Sequence, residues 1–167
     1  MWRQISERVK DYPGRQKVVR ALVELGLGIR EGSSIYCGGI ELSDAKIARH
    51  LGVDRRTVRE TAELISSDPV LRSVFEKMRP AGPLLADIAP FLHYNVIEIY
   101  ADPHTVGIVA QAAALVAKEN IAIRQAVADD PDLTPEPKLT LVVEKEPSGE
   151  VLQKMLKIPG VIKISTY

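Results

Sequence analysis

The hydrophobic period of this chain changes at Asn95, and that change confines the second half to a small set of folds. "VIEIYA" alternates, "GIVAQAAALVAKE" has helical spacing, "IAIRQAV" and "LTLVVE" alternate, "GEVLQKMLK" is helical again and "VIKIST" alternates to the end. The order is therefore strand, helix, strand, strand, helix, strand. Each helix joins strands that cannot be hairpin neighbours, which requires a split crossover and a four-stranded antiparallel sheet with both helices on one face.

This is the ferredoxin-like βαββαβ arrangement, expected over residues 95–167. Within it, Ile97, Ile99, Ile121, Ile123, Leu141, Val143, Ile162 and Ile164 are expected to point to the helices, with Glu98, Arg124 and Lys163 pointing away. The first half reads differently. Val18, Leu22 and Leu25 recur at helical intervals until Gly26 and Gly28 stop them, a strand-like pair surrounds "IYCGGIEL", and Asp68 with Pro69 marks the cap and first position of a helix over Val70 to Met78. Between the halves, Pro80, Pro83 and Pro90 with Gly82 restrict the backbone enough to mark a connector with one helical turn in it. The expected organisation is a helical domain over 1–80, a linker over 81–94 and the βαββαβ domain over 95–167, an α+β chain.

Charge separates the same two halves. Through Pro80 there are fifteen lysines and arginines against eleven acidic residues, and from Ala81 onward seven against eleven, although the whole chain is formally neutral. An anionic partner is expected to meet the first half. Cys37 is the only cysteine, which rules out an intrachain disulfide and fits a reducing compartment. The opening "MWRQISERVK" lacks the apolar stretch of a signal peptide, and the apolar run at 107–117 is too short to cross a bilayer, so a cytoplasmic protein with no membrane partner is expected.

"IARHLGVDRRTVRE", residues 47–60, carries the densest chemistry. Ser43 can cap a helix from Asp44 to Leu51, Gly52 can end it at positive φ, and Asp54 can cap a second helix over Arg55 to Ile65. Ile47, Ala48 and Leu51 face inward on the first helix, Val58, Ala62 and Ile65 on the second, with Val53 plugging the turn. In the positions of Ala48, Gly52 and Val58 this resembles the helix-turn-helix of transcription regulators. The departure is Thr61, where such motifs more often carry an aliphatic residue; looser packing, or packing displaced onto Ala62, is expected there. The resemblance implies that Arg55, Arg56, Thr57 and Arg59 enter the major groove of double-stranded DNA, where arginine donates twice to guanine O6 and N7, while Lys46 and Arg49 meet phosphates. The plainer alternative is a capped helical hairpin whose solvated face is balanced by Glu60 and Glu63.

Residues 95–167 resemble the ACT domain, a small-molecule sensor of amino-acid metabolism. The likeness rests on "EIYADPHTVGIV", "ENIAI", "KLTLVVE" and "KIPGV" in that order. The whole chain is similar to predicted archaeal regulators of amino-acid metabolism that join a helix-turn-helix region to such a domain. The resemblance implies homodimers or higher homo-oligomers through the ACT domain, with an amino-acid effector at the dimer interface, between the first turn and the start of the second strand. On that basis Gly107 and Ile108 offer backbone groups to a carboxylate, Asn120 offers its amide, Asp102 holds the ammonium and His104 is an additional contact. Val106 stands where proline usually precedes the glycine, and the turn from Ile99 to Gly107 is longer than in many members. The alternative makes Gly107 a turn residue and Asn120 a helix cap in a purely structural dimerisation domain.

The loop "ADDPDLTPEPK" is far longer than a hairpin needs, but Asp129, Asp130 and Asp132 lack the glycine and distal glutamate of a calcium loop, and a stiffened solvated loop is expected. His50, His93 and His104 are scattered, so no metal site is expected. Neither a phosphate loop nor a nucleophile pair is present, so no cofactor and no enzyme activity are expected. Two functions follow: an amino-acid-responsive, DNA-binding transcription regulator, or a regulatory subunit that docks on a biosynthetic enzyme without touching DNA.

Overall fold

The computed structural model describes residues 2–167, Glu31 by its backbone alone. The chain is α+β and divides into two compact units, Met1–Gly82 and Pro83–Tyr167. Most of the stretch expected as a linker therefore packs within the second unit.

The first unit opens with α1 (Trp2–Glu7) and α2 (Pro13–Glu24). Pro13 stands in the first turn of α2, where its missing N–H costs nothing, and Val18, Val19, Leu22 and Val23 form the buried stripe. Leu25, expected to extend that stripe, lies past the helix end and is exposed. Three short strands follow, β1 (Gly28–Arg30), β2 (Ser34–Cys37) and β3 (Ile40–Leu42), paired antiparallel in that order. The turn at Gly38 and Gly39 joins β2 to β3, with Cys37 opposite Ile40 and its side chain half-buried. The unit is thus not purely helical. β1 escapes a sequence reading because three residues are too few to display a period.

Three helices complete the unit: α3 (Asp44–Leu51), α4 (Arg55–Ser67) and α5 (Pro69–Phe75). Asp68 caps α5 by accepting from the amides of Val70 (2.8 Å) and Leu71 (3.0 Å). Those bonds, with the guanidinium of Arg8, hold its carboxyl below the usual carboxylate range despite some desolvation.

In the second unit the strands β4 (Asn95–Ala101), β5 (Ile123–Ala128), β6 (Lys138–Val143) and β7 (Val161–Thr166) form one sheet in the order β5-β6-β4-β7, every pair antiparallel. The connecting helices are α6 (Ile108–Lys118) and α7 (Gly149–Leu156), so the topology is βαββαβ. Ile97, Ile99, Leu141 and Val143 pack against Ala112 and Val116 of α6 and Val151 and Met155 of α7.

One expectation about this sheet fails. Ile162 is 76% exposed rather than inward, because Ala101 pairs with Val161 while Tyr100 pairs with Lys163. Ile162 is therefore the extra residue of a β-bulge, and Val161 packs inward in its place. The face opposite the helices is not left to solvent. A 3-10 segment, Ala86–Leu92, lies on it and seals Ala89 against Val96 and Val142. The side chain of Gln125 fastens the approach to that segment by accepting from the Leu85 amide at 2.8 Å and donating to the Pro83 carbonyl at 2.9 Å.

Glu98 points away from the helices as expected, yet it is only 8% exposed. It accepts from Lys138 Nζ at 2.5 Å, Tyr100 Oη at 3.0 Å and Tyr167 Oη at 3.1 Å. Burial raises its pKa, but these donors outweigh burial and hold the carboxyl below its ordinary range.

Candidate nucleic-acid interface and effector site

The α3–α4 pair is built by its caps and its small residues. Gly52 ends α3 at φ 63°, a left-handed conformation that costs a residue with a β-carbon, and its N–H returns to the Ala48 carbonyl. Asp54 then opens α4 by accepting from the Arg56 amide at 2.7 Å. Ser43 occupies the cap position of α3, yet its side chain makes no capping bond. Ala48, Val58, Ala62 and Ile65 are buried as expected, whereas Ile47 and Leu51 are only half-buried.

Thr61 is the informative residue. It is fully buried beside the equally buried Ala62. Its hydroxyl donates to the Thr57 carbonyl at 2.6 Å, which satisfies the polar atom and leaves the methyl for the core. Thr57, expected among the outward-facing readers, is half-buried: a β-carbon placed on Gly14 of α2 would lie 3.1 Å from its methyl. Helix α2 thus approaches the start of α4 and turns Thr57 away from solvent.

Arg55, Arg56 and Arg59 remain exposed on the outer face of α4, and Lys46 and Arg49 are exposed on α3. An open hollow of about 660 Å³ is bounded by Asp44, Asp54, Arg55, Arg56 and Arg59. Arg56 Nε meets Glu60 at 2.7 Å, and Arg59 Nε meets Glu63 at 3.2 Å with Asp44 3.9 Å from its terminal nitrogen. Among the described residues Arg55 has no ion-pair partner. The Arg59–Glu63 pair is exposed on both sides and one helical turn long, so it holds its members weakly and a phosphate or a base edge can displace the carboxylate.

The residues expected to hold an effector do not all come together within one copy. Asp102 and Ile108 line a hollow of about 150 Å³ in the second unit, together with Ile99, Thr105, Asp129, Pro131, Lys138 and Leu139 among others. Asp102 Oδ1 accepts from the His104 amide at 3.0 Å, which shapes the turn after β4. Gly107 sits at φ 92° immediately before α6, and its carbonyl accepts from the Gln111 amide at 3.0 Å. His104 and Gly107 lie on the same turn but do not line the hollow.

Asn120 is at the far end of α6, at φ 55°, with its backbone N–H donating to the Ala117 carbonyl. Eleven helical residues separate it from Gly107, about 16 Å at the usual rise. Within one copy it terminates the helix and cannot share a small ligand with Asp102. The contribution of Asp129 and Lys138 was missed, though their loop announced itself by excess length. Two hydrogen bonds between these residues close that loop, from the Asp129 amide to the Lys138 carbonyl at 3.0 Å and from the Lys138 amide to the Asp129 side-chain Oδ2 at 3.3 Å. Among the described residues no group of three or more His, Cys, Asp or Glu side chains could hold a metal ion, and no helix is long and apolar enough to cross a membrane.

No family model matches the chain. No curated protein matches it either. Among solved structures it is similar to an AsnC family transcriptional regulator from Agrobacterium tumefaciens, at 13% identity and a TM-score of 0.28, over 93% of this chain and 87% of that one. It is also similar to PH0061, at 9% identity and a TM-score of 0.29, over 92% and 88%. Superpositions this loose carry no argument about function, which must come from the chain's own residues.

Proposed function

We propose that the chain is a transcription regulator that binds double-stranded DNA through α3 and α4 and takes a small effector, an amino acid, at the turn after β4. The supporting observation is the exposed Arg55, Arg56 and Arg59 on the outer face of α4, whose inner face is fixed by Val58, Thr61 and Ala62. On this reading α4 enters the major groove, Lys46 and Arg49 meet the phosphates, and a two-fold pair of chains presents two such helices about 34 Å apart or a multiple of it. In the effector hollow, apolar walls from Ile99, Ile108 and Leu139 receive the side chain, and Asp102 the ammonium.

Binding of the wild type and Arg56→Ala to genomic fragments across a salt series tests the DNA reading. Wild-type affinity is expected to fall steeply with salt, and the variant to bind roughly tenfold or more weakly at its best site. No binding by either protein at low salt would remove the proposal. Calorimetry against the common amino acids, with Asp102→Ala as control, tests the effector. A ligand that binds is expected to change DNA affinity by the same factor as DNA changes its own.

A second reading has its own observation. Glu60, Glu63 and Asp44 already offset part of the cationic face of α4, as suits an adaptor that docks on a biosynthetic enzyme. Recovery of one enzyme in a pull-down, with no DNA bound, would favour it.

A further inference from the structure

We infer that Glu60 is a specificity-determining positioning residue, holding Arg56 so that the guanidinium offers its two terminal amino groups to a guanine, and that Arg15 holds Glu60 in turn. The inference rests on the DNA-binding reading above and names what that site selects: a G·C pair opposite Arg56.

Geometry carries it. Glu60 divides its two oxygens between two arginines, Oε1 accepting from Arg56 Nε at 2.7 Å and Oε2 from an Arg15 terminal nitrogen at 3.1 Å. Arg15 is the fixed leg: its side chain is 23% exposed, its guanidinium lies 4.5 Å from the Tyr12 ring centroid, and its helix approaches α4 at Gly14 and Thr57. Arg56 is the free leg, 84% exposed beyond the bond at Nε. With Nε engaged, the end of the guanidinium stays open, and its parallel pair of N–H groups matches the O6 and N7 acceptors of guanine. Hydrogen bonds from Arg56 and then Arg15 also hold the Glu60 carboxyl below its usual range, so it is charged wherever DNA binding is measured.

The neighbouring arginines lack this support. Arg59 leans on Glu63, which has no second cation behind it among the described residues, and its terminal nitrogen already faces Asp44 at 3.9 Å; among the described residues Arg55 has no ion-pair partner. An arginine free to swing satisfies itself on any phosphate, whereas one tethered at Nε rewards only the base that meets its fork. The tether also places a negative charge near the duplex, which weakens attachment to every sequence alike. Glu60 thus gives up general affinity for discrimination.

The test uses the full chain. A preferred site is first selected from a random duplex pool with the wild type. Wild type, Glu60→Gln, Arg15→Gln and Arg56→Ala are then titrated against that site, the same site with each G·C changed to A·T, and an unrelated duplex. The wild type is expected to discriminate about tenfold or more at one G·C pair, and Arg56→Ala to lose that discrimination. Glu60→Gln should bind the unrelated duplex more tightly while its discrimination drops to about threefold or less, and Arg15→Gln should move the same way by a smaller factor. A merely structural role would weaken all duplexes together. The inference is overturned if Glu60→Gln keeps the wild-type discrimination while Arg56→Ala loses it, an outcome that leaves the DNA reading standing. It is equally overturned if Glu60→Gln, still folded by its thermal transition, weakens every duplex by one factor. A wild type that binds no duplex at low salt overturns both.

Discussion

Two carboxylate–cation pairs of similar length behave as opposites in this molecule. Lys138 and Glu98 meet at 2.5 Å on the covered face of the second unit's sheet, and Arg56 and Glu60 meet at 2.7 Å on the outer face of α4. The Glu98 side chain is 11% exposed and that of Arg56 is 84% exposed. Distance alone does not decide what a pair does. Arg56, bonded at Nε, keeps its terminal nitrogens in water, so that pair is open to a ligand; a covered carboxylate has no substitute donors, so its pair belongs to the fold.

The sharpest way to break this comparison is Glu98→Ala. It leaves the Lys138 ammonium and two tyrosine hydroxyls without their common acceptor, and is expected to destabilise the second unit by about 2–3 kcal/mol, read from urea unfolding. That figure sits below the full penalty for a buried pair because the Lys138 side chain is still 31% exposed. A loss under about 0.5 kcal/mol, the level of an exposed pair, would erase the distinction.

Acid sharpens the same contrast. The Glu98 pKa is lower folded than unfolded, so its contribution to stability is fully present above the ordinary carboxylate value, about 4.3, and is lost as pH falls through the folded value beneath it. Glu98→Gln is expected to differ most from the wild type near neutrality and to converge with it in strong acid. A difference that stays constant down the titration would mean that Glu98 is held by packing rather than by charge.

These contrasts show what was legible in the sequence. The βαββαβ order was, because period two and period 3.6 are written into residues 95–167 themselves. Which face of the sheet stays wet was not, since Glu98 looks identical on an open and a covered sheet, and the cover comes from a proline-marked stretch that read as a connector. Ile162 failed for a related reason: a bulge inserts one residue into β7 and reverses the alternation without any local signature. At the candidate site, Asp54 and Gly52 were legible as caps because a cap is a local event. Thr57 was not legible as half-buried, because its neighbour Gly14 lies on another helix. Asn120 and Asp102 were expected, on the strength of family likeness, to share a ligand at a dimer interface, and the length of α6 keeps them from doing so within one copy.

A smaller effect probes the turn that aims α4. Gly52 sits at φ 63° with nothing within 4 Å of where a β-carbon would stand, so Gly52→Ala meets backbone strain and no clash. It is expected to cost about 1–2 kcal/mol of first-unit stability, measured by thermal unfolding, with Gly52→Asn costing less because asparagine tolerates the left-handed region. Equal losses for the two variants would point to a side-chain collision instead.

The smallest effect is the one that most directly tests availability. Glu63 is 56% exposed and Arg59 47%, one turn apart on α4. Glu63→Ala is expected to change stability by no more than about 0.5 kcal/mol in either direction, because both groups are nearly as well solvated apart as together. The same substitution leaves Arg59 with only Asp44, 3.9 Å away, and removes a negative charge from the outer face of α4, so on the proposed DNA-binding reading affinity for an unrelated duplex at low salt is expected to rise while stability barely moves. For Glu98 the order is reversed, with stability lost and DNA affinity at low salt unchanged in molecules that remain folded. Measuring both quantities on both variants therefore separates a pair that builds the fold from a pair that waits for a ligand, and a Glu63→Ala protein that loses stability as Glu98→Ala does would place the α4 face in the first category.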